Sequence, residues 1–211
     1  MLLTLAEARD QLSGATGGDD ARLTRAIEAA GQLVASYLGY PASSDGLVTA
    51  EEATYTVRCD GVTGDVPLPG TACGRWLRLP VQPLVSITSI YDDPDRDFPA
   101  TTLVSSADYS IDDGNTATVK LSTTATHGNW NTGRANIKAT VVAGYSQPPA
   151  WLKAAARIVV RSLLDSPTTQ GRSNLTRGGE NITLRDGHII PEEARVILDA
   201  NRLPITFGLG L

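Results

Sequence analysis

The stretch from Ala139 to Leu164 constrains this chain most. Thr140, Val141 and Val142 are β-branched residues suited to a strand, Gly144 frees the backbone, and Pro148-Pro149 ends the ladder because proline has no N–H to give it. A helix is predicted at once. Pro149 suits a first helical turn, and Leu152, Ala155 or Ala156, Val159 and Leu163 recur at three- and four-residue spacing along one face. A strand is thereby joined to a long helix within a few residues, which predicts an α+β chain.

The helical part begins early. Thr4-Leu5-Ala6-Glu7 has the form of a capping box, with Thr4 accepting from the Glu7 amide and Glu7 reaching back to the Thr4 amide. A short helix to about Leu12 follows, broken by Gly14, Gly17 and Gly18. Asp19-Asp20 then complements the dipole of a second helix, whose stripe is Leu23, Ile27, Ala30, Val34, Tyr37 and Leu38. Gly39 and Pro41 stop it. The expectation is an N-terminal antiparallel helix pair over 1–41.

From Ala42 the texture changes to Gly, Ser, Thr, Pro and Asp with short β-prone runs. Strands are predicted over Thr54 to Cys59, Trp76 to Leu79, Val85 to Tyr91, Tyr109 to Ile111, Val119 to Leu121 and Asn136 to Ala143, separated by turns such as Asp60-Gly61 and Asp113-Gly114. They suggest a small antiparallel sheet or partly open barrel over 76–145, preceded by an inserted loop or hairpin over 42–75. The long helix occupies 146–165. Over 166–211 we expect a Gly-, Ser- and Arg-rich loop, a hairpin turning at Asp186-Gly187, a short helix opened by Pro191-Glu192-Glu193, and an extended, glycine-broken apolar tail. All of this is expected to form one domain.

Composition narrows function. The 211 residues carry a formal charge of -5, which argues against a dedicated sequence-independent DNA binder. Two cysteines, Cys59 and Cys73, are too few for a disulfide framework, and two histidines leave no four-ligand zinc pattern. The N-terminus lacks a basic signal region, and no stretch approaches the ~20 apolar residues of a membrane span. A soluble protein kept in a cytoplasm is expected.

Motifs for catalysis are weak. His127 and His188 lack a nucleophile elbow, phosphate loop or metalloprotease helix, and no cofactor is implied. Asp93, Asp95 and Asp97 copy the opening spacing of a calcium loop, but Phe98 replaces its glycine and Val104 its bidentate glutamate, which favours a solvated hairpin tip. Charge is distributed unevenly. Lys153, Arg157, Arg161, Arg172, Arg177 and Arg185 gather late in the chain, whereas Glu51 to Asp113 is acid-rich. That asymmetry suits a subunit presenting opposite charges to different neighbours, or else a solvated helix face. Trp76, Trp130 and Trp151 are candidates for either core or interface.

The order of these pieces resembles the head-tail connector, or adaptor, proteins of long-tailed bacteriophages and gene transfer agents. The resemblance is carried by Thr4-Leu5-Ala6-Glu7-Ala8 with Leu12, the Asp-rich turn before the helix ending Tyr37-Leu38-Gly39-Tyr40, and the strand entry Leu77 to Ile87. It continues with Asp108-Tyr109-Ser110-Ile111-Asp112, with Val141 to Tyr145, and with Pro148-Pro149-Ala150-Trp151-Leu152-Lys153. The apparent insert over 42–75 and the hairpin over 180–190 depart from the compact family pattern. The resemblance implies a non-enzymatic virion protein, a single connector domain forming a homo-oligomeric, commonly dodecameric, ring. Its partners would be the portal protein and a tail, stopper or tail-terminator protein, with duplex DNA passing through the channel without sequence-specific binding and no membrane involved.

On that reading the ring assembles in the bacterial host cytoplasm. The portal-interface candidates are Arg202, Ile205, Phe207, Leu209 and Leu211, and the subunit-interface or channel candidates are Trp151, Arg157, Arg161, Arg172, Arg177 and Arg185. Two alternatives stay open: a stopper or tail-completion ring, and a carbohydrate- or ligand-binding β-module in which Trp76, Trp130 and Tyr109 line a concave surface.

Overall fold

Local sequence rules account for the helices. In the computed structural model, which describes residues 2–9, 20–64, 66–126, 128–165, 174–177, 180–183 and 190–201, the Thr4 amide donates to Glu7 Oε2 at 2.8 Å and the Glu7 amide to Thr4 Oγ1 at 3.2 Å. This reciprocal box opens α1 (Leu5–Arg9). Helix α2 (Asp20–Leu38) buries Leu23, Ile27, Ala30 and Val34 of the predicted stripe and adds Ala26 and Ala35, while Tyr37 and Leu38 at its end are only half-buried. Helix α3 (Ala150–Asp165) starts where expected, with the Leu152 and Lys153 amides donating to the Pro149 carbonyl. It buries Leu152, Ala155, Ala156, Val159 and Val160. Helix α4 (Glu192–Asn201) buries Ala194 and Leu198.

The described residues fall into two compact units, those of 1–39 with 147–202, and 40–146. In the helical unit α1 packs on α2, α2 on α3, and α3 on α4. The stretch Ala139 to Leu164 thus supplies one element to each unit.

The other unit is a curled, open sheet of seven strands, which together with the helices makes the chain α+β. The strands are β1 (Ala53–Val62), β2 (Thr71–Cys73), β3 (Trp76–Arg78), β4 (Leu84–Asp92), β5 (Tyr109–Asp113), β6 (Thr118–Leu121) and β7 (Gly133–Ala143), in the order β4-β7-β1-β2-β3-β6-β5. It is mixed where an antiparallel sheet was predicted, because β1 and β2 run parallel. The loop between them, Thr63 to Gly70, makes that crossover. Strand β1, read from sequence as part of a hairpin ahead of the sheet, runs between β7 and β2 near its middle. Tyr55, Val57 and Cys59 alternate inward from it, opposite Ile137, Ala139, Val141 and Ala143 of β7. Leu77, Leu79, Ile90, Val119, Leu121 and Trp130 complete this core.

A second, two-stranded sheet pairs β8 (Asn174–Arg177) with β9 (Glu180–Thr183), Arg177 opposite Glu180. The predicted turn at Asp186-Gly187 falls outside the described residues. So do His127, His188 and Arg202 to Leu211.

The sheet's far end is tied by a buried polar knot. Asn136 is fully buried; its Nδ2 donates to the Asn131 carbonyl at 2.7 Å and to Asp92 Oδ1 at 3.3 Å, and its Oδ1 accepts from the Gly61 amide at 3.0 Å. Asp92 Oδ2 accepts from the Asn131 amide at 2.9 Å. Gly61 sits so close that a Cβ there would lie 1.8 Å from the Asn131 carbonyl oxygen. Each buried polar group is thus partnered, and removing one leaves the others exposed to a desolvation cost. Asn136→Leu is expected to lower stability by about 3 kcal/mol. Urea unfolding measures it, and an unchanged midpoint would show that the knot holds nothing.

Candidate functional site

The basic residues of α3 are the first to locate. Lys153 and Arg157, one turn apart, both reach Glu7: Lys153 Nζ stands 2.8 Å from Glu7 Oε1 and Arg157 Nη2 4.0 Å from the same oxygen. Glu7 therefore serves two purposes, closing the capping box with one oxygen and bridging α1 to α3 with the other. The Lys153 hydrogen bond and the Thr4 amide hold its carboxyl well below the usual range, down to about 2. Arg157, a predicted interface residue, is largely spent on this internal contact, although its Nε is buried with no hydrogen-bond partner among the described residues. Arg161 is exposed and Trp151 half-buried, both on α3. Arg177 lies in β8, while Arg172 and Arg185 fall outside the described residues. Lys153, Arg157 and Arg161 share α3, and no further gathering of the predicted basic residues is described.

The acid run behaves differently from the solvated tip expected. Asp92 and Asp93 are both buried. Asp93 Oδ1 accepts from the Asp95 amide at 3.1 Å, and its Oδ2 accepts from the Asp97 and Phe98 amides at 2.9 and 2.6 Å. The Phe98 amide above all, with those of Asp95, Asp97 and Arg96, holds the Asp93 carboxyl below its ordinary value. The carboxylate is the internal anchor of its own loop. Asp95 and Asp97 remain exposed at the tip, and Phe98 is folded back into the protein.

That fold-back creates a surface the sequence reading missed. On the outward face of the sheet, Arg58 of β1 is the register partner of Lys138 of β7, which in turn partners Tyr91 of β4. The Arg58 guanidinium lies 5.2 Å from the Phe98 ring centre. Lys138 Nζ lies 4.6 Å from both the Tyr91 and Phe98 rings. Cation–π attraction of this kind is worth about 0.5–1 kcal/mol at exposed positions. Farther across, Arg78 of β3 stands between Thr71 and Thr118, and Lys120 of β6 sits 4.4 Å over the Trp76 ring. Four bases, Arg58, Arg78, Lys120 and Lys138, thus lie on the outward face of the sheet, while Asp93, Asp95 and Asp97 lie in the loop after β4. Period-two alternation in β1 and β7 was the signal available, since Arg58 and Lys138 occupy out-facing positions once the buried rows are fixed.

The tryptophans divide accordingly. Trp130 belongs to the core and donates its indole N–H to the Arg75 carbonyl at 3.2 Å, whereas Trp76 faces outward under Lys120. They do not share a surface, so the concave Trp76, Trp130 and Tyr109 lining is not formed. Cys59 and Cys73 are free and buried, and burial pushes the Cys59 thiol up to about 12. Among the described residues no His, Cys, Asp and Glu group could hold a metal ion, and no helix is long and apolar enough to cross a membrane.

No protein-family model matches the chain, and no curated protein matches it in sequence. The fold does have solved relatives. A chain from the neck of an empty GTA particle, computed with C6 symmetry, superposes with a TM-score of 0.57 at 15% identity, covering 98% of this chain and 92% of that one. A chain from the virion of a native gene transfer agent (GTA) particle gives 0.56 at 15% identity over 98% and 92%. A third, from the native GTA neck computed with C12 symmetry, gives 0.56 at 13% identity over 97% and 90%. At such identities the likeness shows a shared fold, and its span covers nearly the whole of both chains.

The Glu7 geometry generates a pH dependence. A carboxyl depressed in the folded state contributes stability that is present above its unfolded value of 4.5 and is lost as pH falls toward about 2. Because the side chain is 28% exposed, solvent screening reduces the contribution to about 1 kcal/mol. Glu7→Gln keeps a side chain compatible with the capping box and removes the charge. It should be about 1 kcal/mol less stable than the parent at pH 7 and indistinguishable near pH 2, as thermal melts across that range would reveal.

Proposed function

We propose that this chain is a structural, non-catalytic neck protein of a phage-like particle, assembling as a ring, dodecameric on the family resemblance, that joins the portal to the tail around the DNA channel. The observation that carries the reading is the near-complete overlap of its fold with chains taken from GTA necks computed with C6 and C12 symmetry. Independent support comes from the chemistry. The perturbed groups described above are structural: Glu7 ties helices, Asp93 anchors a loop, and Cys59 is sealed in the core. A ring built head to tail requires two different complementary faces on each subunit and no reactive centre. The four bases on the outward sheet face and the acids of the β5 edge are a physical basis for such faces.

Within this reading the apolar tail bearing Ile205, Phe207, Leu209 and Leu211, with Arg202 ahead of it, docks on the portal, and residues of α3 and the 166–185 region, Trp151, Arg157, Arg161, Arg172, Arg177 and Arg185 among them, face neighbouring subunits or the channel. A net charge of -5 suits a channel through which duplex DNA must slide, because each phosphate neutralised would add affinity and drag. Negative-stain images of the protein with and without portal should reveal rings in at least one sample. Deleting residues 205–211 should leave the circular dichroism spectrum unchanged and abolish portal capture in a pull-down. Full capture by the truncated chain would refute the tail assignment, and a chain that forms no ring and ignores portal would refute the function.

A further inference from the structure

The row formed by Tyr91, Lys138 and Arg58 has an unusual electrostatic character. Lys138 and Arg58 occupy directly paired positions on β7 and β1, an arrangement of like charges that costs stability. Phe98 and Tyr91 hold the two cations against the sheet, but aromatic faces do not neutralise charge. Among the described residues no carboxylate stands within ion-pair distance of Arg58, Arg78, Lys120 or Lys138. The face is therefore fixed in place with its charge unanswered by any described carboxylate.

A candidate answer lies at the other end of the strand order. Strand β5 is the sheet's edge, pairing with β6 and with no other strand among the described residues. Asp108 leads into it, and its exposed residues include Ser110, Ile111 and Asp112. Asp113 is occupied internally, accepting from the Asn115 amide at 2.9 Å and the Thr116 hydroxyl at 2.9 Å, whereas Asp112 points to solvent. An edge strand carries unpaired N–H and C=O groups along one side, and here it adds acid and an exposed Ile111.

We infer that the acidic β5 edge of one copy, through Asp108, Ile111 and Asp112, seats on the basic aromatic face of the next copy, formed by Arg58, Lys138, Tyr91 and Phe98. This rests on the ring proposed above and specifies one of its subunit contacts. The two patches belong to opposite ends of the strand order β4-β7-β1-β2-β3-β6-β5, so the contact is heterologous and repeats from copy to copy, as ring closure needs. Duplex DNA is the poorer occupant. Asp95 and Asp97 stand exposed on the loop that delivers Phe98 and would repel a continuous polyanion running past that row, whereas the β5 edge brings only two carboxylates, which can meet Arg58 and Lys138 without crossing the loop.

Charge reversal tests the contact. R58E/K138E and D108K/D112K should each weaken self-association at least tenfold in sedimentation velocity at low salt, and the chain carrying all four reversals should recover it. Circular dichroism checks that each variant folds. The neutral pair R58Q/K138Q, which introduces no repulsion, should assemble weakly and lose most of the salt sensitivity of the parent. If both reversed pairs form rings as the parent does, or if combining them restores nothing, this contact is overturned and the ring stands. If the parent forms no ring even with portal present, the ring and this contact fall together. Duplex binding by the parent that R58E/K138E loses would assign the face to nucleic acid instead.

Discussion

Strand β7 is held on both sides, by β1 and by β4, and its inward row of Ile137, Ala139, Val141 and Ala143 is wholly buried. Because side chains alternate with a period of two, slipping either pairing by one residue would send that row to solvent and bring Lys138 and Thr140 into the core. Burial of several aliphatic side chains, each worth roughly 1.5–3 kcal/mol, forbids the slip. The outward row follows from the same choice. Lys138 lands between Arg58 and Tyr91, Thr140 lands beside Thr56 with their hydroxyls 3.5 Å apart, and the acid loop after β4 is carried to where Phe98 can fold over the cations. The composition of the exterior face is a consequence of how the interior is packed.

The knot around Asn136 makes that register single-valued. Hydrophobic alternation alone tolerates a shift of two residues, which would keep apolar side chains inside. Hydrogen bonds from the Gly61 amide to Asn136 Oδ1, from Asn136 Nδ2 to the Asn131 carbonyl, and from the Ala135 amide to Asp60 Oδ1 at 2.7 Å do not tolerate it. They act at the bulge between Cys59 and Gly61, where the β1–β7 ladder loses its regular pairing. At the opposite end of the pair, Gly144 adopts a φ of +104° with the Glu51 carbonyl oxygen 2.3 Å from where a Cβ would be. A side chain is excluded there on both counts.

Much of this was legible from the residues. The capping box at Thr4 and Glu7, the stripe of α2 and the Pro-Pro start of α3 are local signals, and each is found within a residue or two of its predicted place. Long-range facts were not legible. The central position of β1 depends on its partner lying some 80 residues later, at Lys138 for Arg58, and no local pattern encodes that pairing. The β1–β2 crossover reads locally as a turn-rich insert, because the parallel pairing it serves joins residues on either side of it. Summing charge along the chain marked the α3 arginines and hid the sheet's basic face, since Arg58 lies in an acid-rich stretch, Lys138 stands 80 residues away from it, and only the β1–β7 pairing brings the two together.

On the proposed ring reading, that last point bears on how a chain with net charge -5 would both associate with itself and let a polyanion pass. Mean charge governs the drift of DNA through a channel, whereas association depends on local pairs a few ångströms apart. In the helical unit Glu7 already neutralises Lys153 and part of Arg157, so α3 presents less positive charge than its sequence suggests. In the sheet unit the opposite holds, with cations laid flat on Phe98, Tyr91 and Trp76 and acids moved to edges and tips. A surface organised this way favours contacts of defined register with a complementary protein edge over diffuse attraction to phosphate, because the attractive patch is small and the repulsive loops flank it.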